Sequence, residues 1–204
     1  VPVQVVNTAD EAAAATAETG RPVVLKAYGP DLVHKRHSGG VVLGVRGPAQ
    51  AREAYTSLAA RLGPAMDGAV VQPMVSGDAE LLVGISNDSV FGPVVAFGLG
   101  GTEADALADR VVRLAPLTAE AASRTIRGIR AAGLLDQAAA GGPVDLDALR
   151  ELLVRVSVLA DRVPELADLD LNPVVARADG LSLIDVKVRI EPRRPYDPFL
   201  RRLR

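Results

Sequence analysis

The chain has 204 residues, 49% of them hydrophobic, and a net charge of −2. That is enough apolar material for one core or two smaller ones, and nothing in the charge balance points to nucleic acid or to a membrane surface. Cysteine is absent, which excludes disulfides and thiolate metal sites, and 3% aromatic content leaves few rings for stacking bases.

No apolar run is long enough to span a bilayer and no signal peptide opens the chain, so the expected location is cytoplasmic. The chain opens at Val1 rather than Met and reads as an excised piece of something longer.

In chain order, "VPVQVV" is a short strand. Thr8 to Gly20 is a helix with a capping box, Thr8 as N-cap and Glu11 reaching back, closed by a left-handed Gly20. Pro22 to Tyr28 is a buried strand, "GPDLVHKRHSGG" a loop, and "VVLGV" extended. Gly47 to Gly63 is an amphipathic helix. Ala69 to Val75 and Glu80 to Ser86 are strands around "SGD", and Val90 to Leu99 is a third, ending in "GLGG". "RVVRLAPL" is extended, and a helix capped by Thr118 runs to Gly133. Asp145 to Val163 is a helix that stops before Pro164. A hairpin, 167–190, closes the fold, and the tail 191–204 is Pro-rich and basic. The pattern is mixed α/β rather than a parallel sheet.

The closing hairpin carries polar groups where a core strand has none: Asp170 and Asn172 in one strand, Asp185 and Lys187 in the other. Alternation puts each pair on one face. A turn at Ala178–Asp179 then sets Asn172 opposite Asp185 and Asp170 opposite Lys187, with Cβ atoms about 5 Å apart. Carboxylate and amide oxygens suit Mg²⁺, which keeps waters and phosphate oxygens as further ligands. Pro173 favours an extended Asn172. A solvated sheet face with one ion pair is an equally good account of the hairpin alone.

Lys26 sits in an apolar strand and is suited to meet an anion. Gly39–Gly40, after Lys35 and Arg36, offer close backbone approach and N–H groups to phosphate oxygens. A plain basic surface loop would read the same way. Neither a Walker A loop nor a GxGxxG fingerprint is present. Met74 and Val75, after Gln72–Pro73, can present backbone groups to an adenine edge, although an edge strand tolerant of proline is the simpler account. Glu80 can hold ribose hydroxyls or simply flank a turn.

The order "PVVLK…PDLVHK…GGV", "VVQPMV…ELLVG", "FGPVVAFGLGG", "RLAPLT", "LDLNPV…LID" resembles the ATP-grasp domain of ADP-forming acyl-CoA synthetases, relatives of the succinyl-CoA synthetase β subunit. The resemblance covers 1–190 and implies an ATP-grasp fold: two α+β lobes with mixed sheets clasping the nucleotide, the smaller about 1–70 and the larger about 71–190. It implies that Lys26, Gly39, Gly40, Gln72, Met74, Val75, Glu80 and Arg113 contact ATP or ADP, and that Asn172 and Asp185, with Asp170 alongside, hold Mg²⁺. His34 and Lys35 are the catalytic candidates, and a phosphoryl-carrying His34 stands against an ordinary loop histidine.

The resemblance also implies partners. These are CoA-binding and phosphohistidine domains of the same or another chain, which receive the phosphoryl group and pass it to a carboxylate that ends as acyl-CoA. The tail resembles that of proteins joining a GNAT-type lysine acetyltransferase to such domains. A nucleotide- or ligand-sensing module of that acetyltransferase is therefore the alternative function. Gly29, Arg36, His37, Asp105 and Ala108 depart from the family pattern, which keeps the nucleotide residues and alters the transfer loop.

Overall fold

The computed structural model describes residues 1–30, 32, 39–88, 90–101, 108–136 and 143–192. It divides into two compact units, Val1–Val75 and Ser76–Arg204. The division falls a few residues beyond position 70 because the strand at 68–73 is hydrogen-bonded into the first sheet.

The first unit runs β1 (Gln4–Val6), α1 (Ala9–Thr19), β2 (Val23–Tyr28), β3 (Val41–Val45), α2 (Gly47–Leu62) and β4 (Gly68–Pro73). Its sheet has the order β1-β4-β2-β3, antiparallel throughout. Thr8 Oγ1 accepts the Glu11 N–H at 3.1 Å. Glu11 Oε2 in turn accepts from Asn7 N at 2.7 Å, one residue before the cap, rather than from Thr8 as the capping box anticipates. Gly20 ends α1 in the left-handed region, φ 65°. Both helices cover one sheet face, and the core there joins Val23, Leu25, Ala27, Leu58, Ala69 and Val71 to helix alanines. Val24, Lys26 and Tyr28 alternate onto the other face.

The second unit runs β5 (Ala79–Asp88), β6 (Gly92–Leu99), β7 (Arg110–Leu114), α3 (Ala119–Arg127), α4 (Ala132–Asp136), α5 (Leu146–Arg162), β8 (Leu166–Arg177), β9 (Gly180–Leu183) and β10 (Val186–Ile190). The sheet order is β10-β8-β5-β6-β7, with β9 also on β8. Every pairing among the described residues is antiparallel, so the sheets are not mixed in strand direction as the resemblance suggested. Helices α3 and α5 cover one face, where Leu81, Val95, Phe97, Leu149 and Leu153 are fully buried. Thr118 and Asp145 cap these helices with side-chain oxygens. The buried Ser157 hydroxyl ties α5 to the chain entering α3 by accepting Leu117 N at 2.9 Å.

The helix read as running from Thr118 to Gly133 is two helices. Gly128 caps the first. The N–H groups of Arg130 and Ala131, which a continuous helix would give to carbonyls one turn back, go instead to the Asp109 carboxylate at 2.8 Å each. Residues 193–204 of the basic tail lie outside the described residues. No helix among the described residues is long and apolar enough to cross a membrane.

Candidate functional site

The closing hairpin has the expected register. Arg177 pairs with Gly180 across the Ala178–Asp179 turn, and Lys187 lies opposite Asp170. Asn172 N donates to Asp185 O at 3.2 Å, which sets those two residues across from each other. Asp168, Asp170 and Asn172 are half-buried and alternate with buried Leu169 and Leu171. They therefore occupy the sheet face opposite α3 and α5. Lys187 Nζ stands 4.0 Å from Asp170 Oδ2, and Arg189 pairs with Asp168. On the other side of Asp170 the register places Gly84, whose missing side chain leaves that carboxylate room.

A β-bulge aims Asn172. Leu171 pairs with Val83, but Val174 pairs with Leu81, so Asn172 and Pro173 together oppose one residue of β5. The side chain then swings to the end of β6, where Asn172 Oδ1 accepts Gly101 N at 3.1 Å. Gly101 has φ 80°, and a Cβ there would stand 2.2 Å from Glu80 Oε2. Glu80 O also accepts Gly100 N at 2.9 Å. Glu80, the Gly100–Gly101 backbone and Asn172 thus meet at one corner of the sheet.

This corner fits a hard divalent cation. Among the described residues Asn172 Oδ1 accepts from Gly101 alone, and a carbonyl oxygen has a second lone pair for a metal. The Asp185 carboxylate is half-buried across the strand. Among the described residues no three carboxylates or imidazoles cluster for a metal, so an ion here would draw its remaining oxygens from water or a phosphate, as Mg²⁺ does.

Arg113 is not brought to this face. It pairs with Val95, which is fully buried under the helices, while Arg110 pairs with Gly98 on the Asn172 face. Register on β7 decides this, because neighbouring residues point oppositely.

In the first unit, Lys26, Gln72 and Met74 share the face turned away from α1 and α2. Gln72 pairs with Val24 and is buried, and Lys26 pairs with Val70 and Val41. Met74 N donates to Pro22 O at 2.9 Å, so Met74 cannot lend that N–H to a ligand, and the remaining backbone groups run from its carbonyl to Val75. Met74 Sδ accepts Gly44 N at 3.1 Å. Gly39 takes φ 68°, and its carbonyl accepts from Arg61 Nη1 at 2.7 Å. The Gly40 N–H, trans to that carbonyl, points away from Arg61. Gly40 O accepts from Ala27 N at 2.8 Å, which fixes the glycines against β2. His34, Lys35, Arg36, His37 and Asp105 lie outside the described residues.

Asp109 and Arg61 escaped the sequence reading. An isolated charge beside a strand or in a last helical turn carries no local mark of the distant backbone groups it binds. Burial pushes the Asp109 carboxyl up, but the Arg130 and Ala131 N–H groups and the Arg130 charge outweigh it and hold it below the usual carboxylate range. A shallow depression of about 480 Å³ by Asp145, Asp147, Arg150 and Glu151 involves none of the candidate residues.

Residues 1–190 match the family model described as an ATP-grasp domain. The chain is 36% identical over 192 residues to acetate–CoA ligase (ADP-forming) I of Archaeoglobus fulgidus, covering 92% of this chain and 28% of the ligase. It is 35% identical over 190 residues to the β subunit of acetate–CoA ligase (ADP-forming) I of Pyrococcus furiosus, covering 91% of this chain and 82% of that subunit. A solved structure of dinucleotide-forming acetyl-coenzyme A synthetase 1 from Ca. Korarchaeum cryptofilum, in complex with coenzyme A and Ca-AMPCP, superposes with a TM-score of 0.87 at 32% identity, covering 93% of this chain and 85% of that one.

The chain belongs to the ATP-grasp domain family. Its homologues are ADP-forming acetyl-CoA synthetases, and it spans little more than a quarter of the single-chain ligase and most of the separate β subunit.

Proposed function

We propose that this chain binds Mg·ATP as the nucleotide-handling part of an ADP-forming acyl-CoA synthetase. The observation that carries the reading is the hairpin register, which sets Asn172 opposite Asp185 beside Asp170, with the Glu80–Gly101 corner adjoining. The relative whose solved structure is a complex with coenzyme A and Ca-AMPCP supports it.

Asn172 and Asp185 would hold the Mg²⁺, which when bound neutralises phosphate charge. Asp170, already facing Lys187, would add negative charge at the rim. Lys26 and the Gly40 N–H would bind phosphate oxygens, Gln72 to Val75 the adenine, and Glu80 the ribose. Catalysis is then positioning and charge neutralisation of the γ-phosphoryl group. The phosphoryl moves from ATP to a histidine nitrogen on a separate domain, releasing ADP. It next passes to a carboxylate, and the thiol of CoA displaces phosphate from the acyl phosphate. His34 and Lys35 are the proposed residues of this chain at the transfer step.

A sensing module on a GNAT-type acetyltransferase rests only on the altered loop and the tail, whereas the relatives above are ligases. In the full-length protein, Mg²⁺-dependent ATP binding by calorimetry should be present and should be lost in Asp185→Ala. Label from γ-³²P-ATP should reach a histidine of the partner domain and should fall sharply in His34→Asn. Nucleotide binding without any label transfer would turn the assignment towards regulation.

A further inference from the structure

The corner that orients Asn172 is anchored from the opposite side of the sheet. Leu99 N donates to Asp109 O at 3.1 Å, which pinches together the ends of the β6–β7 connection. Gly98 lies so close that a Cβ on it would stand 2.4 Å from Asp109 O. Two residues beyond Leu99 is Gly101, whose N–H fixes Asn172 Oδ1.

The Asp109 side chain points the other way. It is 8% exposed, and its two oxygens take the N–H groups of Arg130 and Ala131, with Arg130 Nε 3.6 Å away. Ala108, just before it, takes φ 45°, a left-handed conformation that L side chains rarely adopt and that needs its neighbours fixed. One residue therefore ties the glycine corner to the α3–α4 junction through its carbonyl and its carboxylate together.

We propose that Asp109 is a positioning residue for metal binding: it fixes Leu99 to Gly101 so that the Gly101 N–H holds the Asn172 amide oxygen in its ligating orientation. The inference rests on the Mg·ATP reading above. It needs no contact between Asp109 and substrate. Partners behind a metal ligand commonly set its orientation.

The test is calorimetric titration of the full-length protein with ATP, with and without Mg²⁺, beside thermal denaturation. In Asp109→Asn, which keeps one acceptor and loses the charge, the Mg²⁺-dependent gain in affinity should fall about fivefold while metal-free ATP affinity stays within about twofold, somewhat less than the loss seen for direct partners of metal ligands. Ala131→Pro deletes a single donor at a helix start where proline is tolerated, and it should move the Mg²⁺-dependent gain the same way by less. It carries the test should Asp109→Asn not fold. Unchanged Mg²⁺ dependence in the folded variants would overturn the proposal. So would metal-free and metal-bound affinities falling together in step with Tm, since that marks a merely structural role. A wild-type protein whose ATP binding ignores Mg²⁺ would instead remove the underlying reading.

Discussion

Replacing Gly101 by Ala isolates the corner where Glu80 and Asn172 meet. Gly101 sits at φ 80°, and an added Cβ would come within 2.2 Å of Glu80 Oε2. The left-handed backbone alone costs about 1–2 kcal/mol for an L side chain. Gly20, at φ 65° with nothing within 4 Å of its would-be Cβ, carries the same backbone penalty and no neighbour. Gly20→Ala is therefore the matched control. Both variants should lose about 1–2 kcal/mol and a few degrees in Tm, because the Glu80 carboxylate is the far end of a flexible chain and swings aside cheaply. Only Gly101→Ala displaces that carboxylate and disturbs the N–H bound to Asn172. Its Mg·ATP affinity should fall about tenfold, equivalent to about 1.4 kcal/mol, while that of Gly20→Ala stays at the wild-type value. Isothermal titration calorimetry and scanning calorimetry read the two effects separately. Equal ATP affinities in the two variants would show that this corner takes no part in binding nucleotide.

Arg110→Ala should weaken ATP binding more than Arg113→Ala in parallel titrations, because register puts Arg110 on the Asn172 face and Arg113 on the helix face. Asp185→Asn should reduce Mg²⁺-dependent binding more than Asp170→Asn, because Asp170 already has Lys187 as a partner. Asp109 has a folded-state pKa below its unfolded value, so it stabilises the fold above the ordinary carboxylate range and loses that contribution as pH falls through the lowered value. Urea unfolding of wild type should therefore weaken below about pH 4, and Asp109→Asn should flatten that limb. Phe97→Ala should cost about 3–5 kcal/mol in urea unfolding, because the ring is fully buried between sheet and helices.

Local chemistry made much of this molecule legible in one dimension. Thr8, Thr118 and Asp145 mark helix starts because a side-chain oxygen satisfies an N–H three residues on, within reach of sequence alone. The two-residue turn at Ala178–Asp179 fixes the cross-strand pairs as far as Arg189 with Asp168, so the meeting of Asn172 with Asp185, and of Asp170 with Lys187, follows from alternation and one turn. Three features depended on parts of the chain distant in sequence. The bulge at Asn172–Pro173 exists only against β5, the helix break at 128–131 only because Asp109 competes for two N–H groups, and the face of Arg113 only through pairing with β6. The sequence determined which groups were present and how close neighbours pair, because those rules act over a few bonds. The tertiary structure decided which groups share a face and which backbone atoms they hold, because partners many residues apart meet only when the chain has folded.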